Sequence, residues 1–198
     1  MKLKINTRAV AVSAVCGGLG FVLMLLEFPL PFIIPSFIKL DFSEIPALIS
    51  AFAFGPLYGI LVCAIKNLLH LFVTTSAGVG ELSNFILGAI FVGTAGVFYS
   101  KLHNRKGALI GSLVGAFIMS LISVFTNYFL VYPAYVVIYG MPMDAIIGMY
   151  KALFSAADNL IKALIIFNFP FNLAKGVLQA AVCFAVYKRI SPILKNKK

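Results

Sequence analysis

Charge is what this sequence has least of. Asp, Glu, Lys and Arg make up 11% of its 198 residues, where a soluble domain carries about 25%. With 62% hydrophobic residues and a mean hydropathy of +1.04, the chain is too apolar for a soluble domain of its length. It reads as an integral membrane protein with several helical spans. The short alternating segments of a β-barrel, about ten residues each, are absent; the apolar runs are continuous. Catalytic motifs are absent as well. There is no Walker A sequence, no Ser/His/Asp arrangement, no HExxH and no Cys nucleophile with a paired His, so nothing here would hydrolyse ATP. Cys16, Cys63 and Cys183 lie far apart inside apolar runs without C-x-x-C or Cys/His spacing, which argues against zinc or redox work and for small buried side chains. No inverted repeat is detectable, which argues against a stand-alone secondary transporter.

Acidic residues are scarcer than basic ones, 6 against 16, for a formal net charge of +10. The basic residues cluster at Lys2, Lys4 and Arg8, at Lys188, Arg189, Lys195, Lys197 and Lys198, and in the loop Lys101–Lys106. No soluble surface remains to display this charge to nucleic acid. The positive-inside rule instead places both termini in the cytoplasm. The first apolar run lacks a small-x-small site followed by a hydrophilic domain, so it is kept as a span and not read as a signal peptide.

Residues 9–26 form span 1; eighteen helical residues cover about 27 Å, close to the hydrocarbon thickness. Pro29, Pro31 and Pro35 make 29–42 an external loop. Gly55-Pro56 interrupts the next apolar run. Either one kinked helix crosses over 45–72, or the dipeptide turns a hairpin of short helices at 44–54 and 57–73. The hairpin puts the basic loop 101–107 in the cytoplasm, as the charge bias prefers, and is adopted here. Span 4 then covers about 80–100 and span 5 about 107–132, ending near Pro133. Asp144, Lys151, Asp158 and Lys162 are spaced along one helical face of 144–167. Charges at the bilayer centre are costly, so 134–168 is expected to be an external connection containing an amphipathic helix. Span 6 is expected at 169–190. The expected fold class is an all-α integral membrane protein of six helices, two of them short, forming a single substrate-binding domain over 1–198.

This topology sends the polar residues to one end of the bundle: Lys39, Asp41 and Glu44, then Lys66, Asn67 and His70, then Glu81, Ser83 and Asn84, then Asn127, Asn172 and Lys175. Polar groups gathered at one depth suggest a polar-lined pocket in an apolar bundle. Amides and hydroxyls, which donate and accept, suit a neutral ligand rich in OH and NH groups. Each residue also has a plainer reading. Lys66 can snorkel, Glu81 can favour a helix N-terminus, and Asn84 and Asn127 can bond between helices. Asn172 can cap span 6, but a Lys175 in the first turn would oppose the helix dipole and calls for a ligand or a carboxylate partner. Glu81 with His70 is the only pair suited to acid–base chemistry in an intramembrane enzyme. On span 1, Ala9, Ser13 and Gly17 form one small-x-x-x-small series and Ala14 and Gly18 another; such a face packs inside the bundle or docks another membrane protein.

The stretches KLDFSEIPALISAFAFGPLYGILVCAIKNLLH (39–70), GELSNFILG (80–88) and PFNLAKG (170–176) together resemble the riboflavin-specific S components of energy-coupling factor (ECF) transporters. The resemblance runs over most of the chain and is weakest over 140–167. It implies a non-enzymatic, multi-pass protein of a bacterial plasma membrane that needs no cofactor. Such a protein captures riboflavin, and also FMN, from outside, and works with a membrane T component and two cytoplasmic ATPases. It implies ligand contacts from Asn172, Lys175, Asn127, Asn84 and Glu81, with Leu40, Asp41 and Asn67 completing the set. It implies docking of the T component at Ala9, Ser13, Ala14, Gly17 and Gly18. A shared architecture binding thiamine, biotin or a queuosine precursor, or a structural membrane subunit, are the alternatives.

Overall fold

The computed structural model describes residues 6–195, with side chains through residue 186. The terminal basic residues Lys2, Lys4, Lys188, Arg189, Lys195, Lys197 and Lys198 lie outside the described side chains.

Helix α1 spans Thr7–Leu25 and is capped by Asn6, whose side chain accepts from the backbone N–H groups of Arg8 and Ala9. A lid follows, in which β1 (Phe28–Pro29) pairs antiparallel with β2 (Lys39–Leu40). Helices α2 (Glu44–Phe54) and α3 (Pro56–His70) meet at Gly55. Gly55 has φ +112°, a region L side chains rarely adopt, and Pro56 starts α3 where its missing N–H costs nothing. The two helices fold back on each other: a Cβ added at Gly59 would lie 2.7 Å from Ala51 Cβ and 2.9 Å from the Ala47 carbonyl oxygen. The hairpin reading is therefore the observed one, and the single kinked helix is not.

Helix α4 (Val79–Leu102) returns, and α5 (Arg105–Thr126) starts at a turn in which Asn104 accepts from Gly107 N at 2.7 Å. The Asn6 N–H donates to Tyr58 Oη at 3.3 Å, and Gly96 abuts Pro56, so the start of α1, the α2–α3 turn and the α4–α5 turn share one end of the bundle. The lid lies at the other.

Span 5 does not end near Pro133. A π-turn over Asn127–Val131 leads straight into α6 (Tyr132–Tyr139). A second π-turn, Leu164–Asn168, joins α8 (Leu160–Ala163) to α9 (Phe169–Lys195). Each π-turn ends two residues before a proline, Pro133 or Pro170. A proline lacks its N–H and clashes with the carbonyl four residues back, here Phe129 or Ile166 at the middle of the turn; the wider turn absorbs both defects and the helix continues.

The amphipathic helix between the last two spans exists but is shorter than expected. Helix α7 covers Met143–Leu153, and Phe154 is extended (φ −152°, ψ 116°). Asn159 then caps α8, accepting from Lys162 N at 3.0 Å. That cap breaks the register that 144–167 needs as one helix. It also starts span 6 at residue 160, not 169. The i,i+4 pair Asp158–Lys162 forms at 2.9 Å.

Among the described residues, five helices are long and apolar enough to cross a membrane: Thr7–Leu25, Pro56–Val73, Val79–Leu102, Arg105–Tyr139 and Leu160–Val186; α2 is a sixth, shorter apolar helix. Two apolar clusters hold them together. One, built on Leu48, Phe52, Val62, Phe91, Val92 and Ala116, fills the middle of the bundle. The other, built on Ile34, Tyr132, Ile146, Tyr150 and Leu164, fastens the lid to α6, α7 and the second π-turn.

Candidate ligand-binding site

The lid end encloses a cavity of about 370 Å³, within the size range of small-molecule sites. Its walls come from the lid (Phe37, Ile38, Lys39, Asp41), from α4 (Glu81, Ser83, Asn84, Leu87), from the first π-turn and α6 (Asn127, Tyr132, Tyr135, Tyr139) and from the α9 region (Asn168, Phe171, Asn172, Lys175). Aromatic and aliphatic surfaces alternate with a few amides, with carboxylates and with the two ammonium groups of Lys39 and Lys175.

Six of the eight ligand contacts that the resemblance implies share this cavity: Asp41, Glu81, Asn84, Asn127, Asn172 and Lys175. Leu40 and Asn67 do not line it. Leu40 is paired in the lid hairpin opposite Phe28. Asn67 donates to the Cys63 carbonyl and borders a separate apolar cavity between α3 and α4.

A buried charge network lies beneath the cavity and reaches it through Asp41, Asn84 and Lys175. Lys66, with no exposed surface, donates to Ser43 Oγ, to Glu44 Oε1 at 2.6 Å and to Asn84 Oδ1 at 2.7 Å. It does not snorkel. Lys175 Nζ lies 2.7 Å from Asp41 Oδ2. Gln179, one turn further along α9, donates to the Asp41 carbonyl oxygen at 2.9 Å and to Glu44 Oε2 at 3.1 Å. Two carboxylates and two ammonium groups thus neutralise each other, the condition under which charges persist at this depth. Asp41 belongs to the lid, outside the helices. Burial pushes its carboxyl up, but the charges of Lys175 and Lys66 and hydrogen bonds from Lys175 and Ser43 outweigh that and hold it well below the ordinary carboxylate range. Small residues make room for the network: a Cβ at Gly88 would sit 2.7 Å from Glu44 Oε1, and one at Gly20 would sit 3.2 Å from the Ser43 carbonyl oxygen.

The expected cap role of Asn172 is not observed, because the helix starts twelve residues earlier. Mid-helix, Asn172 Nδ2 donates to the Asn168 carbonyl at 2.9 Å and to Ser123 Oγ at 3.2 Å. For the same reason Lys175 opposes no helix N-terminus, and its partner is a lid carboxylate. Glu81 is held at both oxygens, by His70 Nδ1 at 2.8 Å and Ser76 Oγ at 2.6 Å.

Sequence reasoning passed over a second polar cluster. Tyr132 and Tyr150 share a short hydroxyl–hydroxyl hydrogen bond; Tyr150 Oη donates to Asn168 Oδ1 at 2.6 Å, and Asn168 Nδ2 donates to Tyr132 Oη at 3.3 Å. This triad ties α7 to the start of α6 and to the second π-turn. Gln179 was overlooked too; its i,i+4 relation to Lys175 was the available signal.

On α1 the two small-residue series separate. Ala9, Ser13 and Gly17 are buried in the bundle: Ser13 Oγ meets Ser50 Oγ at 2.8 Å, and a Cβ at Gly17 would lie 2.5 Å from Ile65 Cγ2. They are not available to a docking partner. Ala14 is exposed, and a Cβ at Gly18 would meet nothing within 4 Å.

A lidded polar cavity at one end of an apolar helical bundle defines a membrane protein that binds a small molecule. Comparison with known proteins gives the class. A family model described as "ECF transporter, substrate-specific component" matches residues 8–187, and the chain belongs to this family. It is a transport component and not an enzyme, so the hydrogen-bonded Glu81–His70 pair is read without catalysis. The chain is 31% identical to "Riboflavin transporter RibU" of Staphylococcus aureus (strain TCH60), over 99% of this chain and 96% of that one. It is 32% identical to "Riboflavin transporter FmnP" of Bacillus subtilis (strain 168), over 98% and 97%. A solved structure described as "Structure and mechanism of the S component of a bacterial ECF transporter" superposes with a TM-score of 0.74 at 30% identity, covering 96% of this chain and 99% of that one.

Proposed function

We propose that this chain is the riboflavin-binding component of an ECF-type vitamin importer in a bacterial plasma membrane. Flavin capture takes place at the lid end. The observation that carries the reading is the cavity's inventory, in a chain whose full-length relatives are named riboflavin transporters. Riboflavin has a flat, largely apolar tricycle, a pyrimidine edge of N–H and C=O groups, and a ribityl chain of hydroxyls. Phe37, Leu87, Val131 and Phe171 offer apolar walls; Asn84, Asn127, Asn172 and Lys175 offer donors and acceptors. FMN shares the same tricycle and is an accepted variant of the ligand.

Orientation follows from charge. Arg8, Lys101, Arg105 and Lys106 sit at the end opposite the cavity, which puts that end and both termini in the cytoplasm and the cavity outside. With no ATPase motif of its own, the loaded bundle depends on a membrane T component and two cytoplasmic ATPases. Ala14 and Gly18, the small residues left on the free face of α1, are the proposed contact with the T component. The test is an absorption spectrum of the detergent-purified protein. Co-purified visible flavin bands, removed by unfolding and restored by added riboflavin, are expected. A protein that retains no flavin bands after incubation with excess riboflavin and removal of the free vitamin would refute the reading.

A further inference from the structure

We infer that Lys66, which does not touch the cavity, is a positioning residue that sets the chemical polarity of the ligand site through Asn84. The inference rests on the flavin reading. A lysine ammonium has three protons and no acceptor. All three protons of Lys66 are directed at oxygens: Ser43 Oγ, Glu44 Oε1 and Asn84 Oδ1. The Asn84 amide is therefore not free to flip, since turning it would set an NH2 against the ammonium. Its Oδ1 stays on Lys66, and its Nδ2, with no protein partner among the described residues, is left for the cavity. Asn84 is a donor only.

The opposite wall is fixed the other way. A backbone carbonyl can only accept, so Asn127 must turn Nδ2 to the Ser123 oxygen and Asn172 must turn Nδ2 to the Asn168 oxygen. Each leaves its Oδ1 without a protein partner among the described residues, on a residue that lines the cavity. At Asn84 the α4 wall demands an acceptor from its ligand, while Asn127 and Asn172 across the cavity offer an oxygen to a donor. A flavin carries both kinds of group: ring nitrogens and carbonyls that accept, and an N–H and hydroxyls that donate. An amide free to rotate would tolerate either group, and one held by a buried ammonium does not.

The experiment measures affinities for riboflavin and four isosteric analogues, each weakening one ring acceptor: 1-deaza, 5-deaza, 2-thio and 4-thio. In the wild type, one analogue is expected to bind at least tenfold more weakly than riboflavin. In Asn84→Asp, which keeps an oxygen on Lys66 and replaces the donor with an acceptor, riboflavin itself should bind at least tenfold more weakly and that analogue's penalty should vanish. In the paired variant Lys66→Met with Glu44→Gln, which removes the ammonium without leaving a lone buried carboxylate, the penalty should shrink at least threefold; a purely structural role would lower all five affinities alike. If every analogue penalty persists in Asn84→Asp, the inference falls while the flavin reading stands. A wild type that binds none of the five flavins overturns both. The Asn84→Asp arm decides alone if the paired variant does not fold.

Discussion

The two ends of this bundle solve different problems with the same twenty-odd-residue helices. At the end bearing the basic turn, backbones approach closely through glycine: Gly59 lies against Ala47 and Ala51, Gly96 against Pro56, and Gly111 against Ala95. Shape decides most contacts there, the Asn6–Tyr58 hydrogen bond being an exception. At the lid end the spans carry carboxylates, amides and ammonium groups, and both π-turns occur there. Contacts are decided by which proton meets which lone pair. Packing without polar groups is tight and closed; packing around polar groups leaves a cavity, because hydrogen-bonding side chains keep an outward-facing donor or acceptor after their protein partners are satisfied.

The sharpest way to break the comparison is Lys66→Met. It strands Glu44 as a buried, unpaired carboxylate, which costs about 3–5 kcal/mol; adding Glu44→Gln should recover most of the loss in thermal unfolding of the detergent-solubilised protein. Next comes Gly59→Ala at the close-packed end. The new methyl would sit 2.4 Å from Val92 Cγ1, and stability should fall by about 1–3 kcal/mol, while the folded fraction keeps its flavin affinity. Gly18→Leu, on the free face of α1, should leave stability and binding alone and abolish uptake in cells carrying the partner subunits; unimpaired uptake would remove Gly18 from the docking surface. Lys162→Ala, at a half-exposed ion pair with Asp158, should change neither stability nor binding measurably.

The same contrast explains what was legible in the sequence. Continuous apolar runs and the Gly55-Pro56 break gave the spans and the hairpin, because hydropathy and backbone permissiveness are local. Charge bias brought Asp41, Glu81, Asn84, Asn127, Asn172 and Lys175 to one end, because orientation follows from counting. Partners were less legible. Pro133 read as a helix end and 169 as a helix start, since a π-turn that carries a helix through proline leaves no residue pattern of its own. The stretch 144–167 read as one helix, although Asn159 inside it is a cap. Tyr132, Tyr150 and Asn168 drew no attention in the sequence, because a hydroxyl triad closes only when three distant segments meet. On α1, spacing could not say which small-residue series faces inward; Ile65 and Ser50 decide that.

The central claim is that the lid-end cavity holds the flavin. Quenching of riboflavin fluorescence by the purified protein, titrated for the wild type and for Asn172→Ala combined with Lys175→Ala, tests it most directly. The account predicts saturable quenching by the wild type and affinity more than tenfold weaker in the double variant, a loss of more than about 1.4 kcal/mol. Equal quenching by both proteins would contradict it.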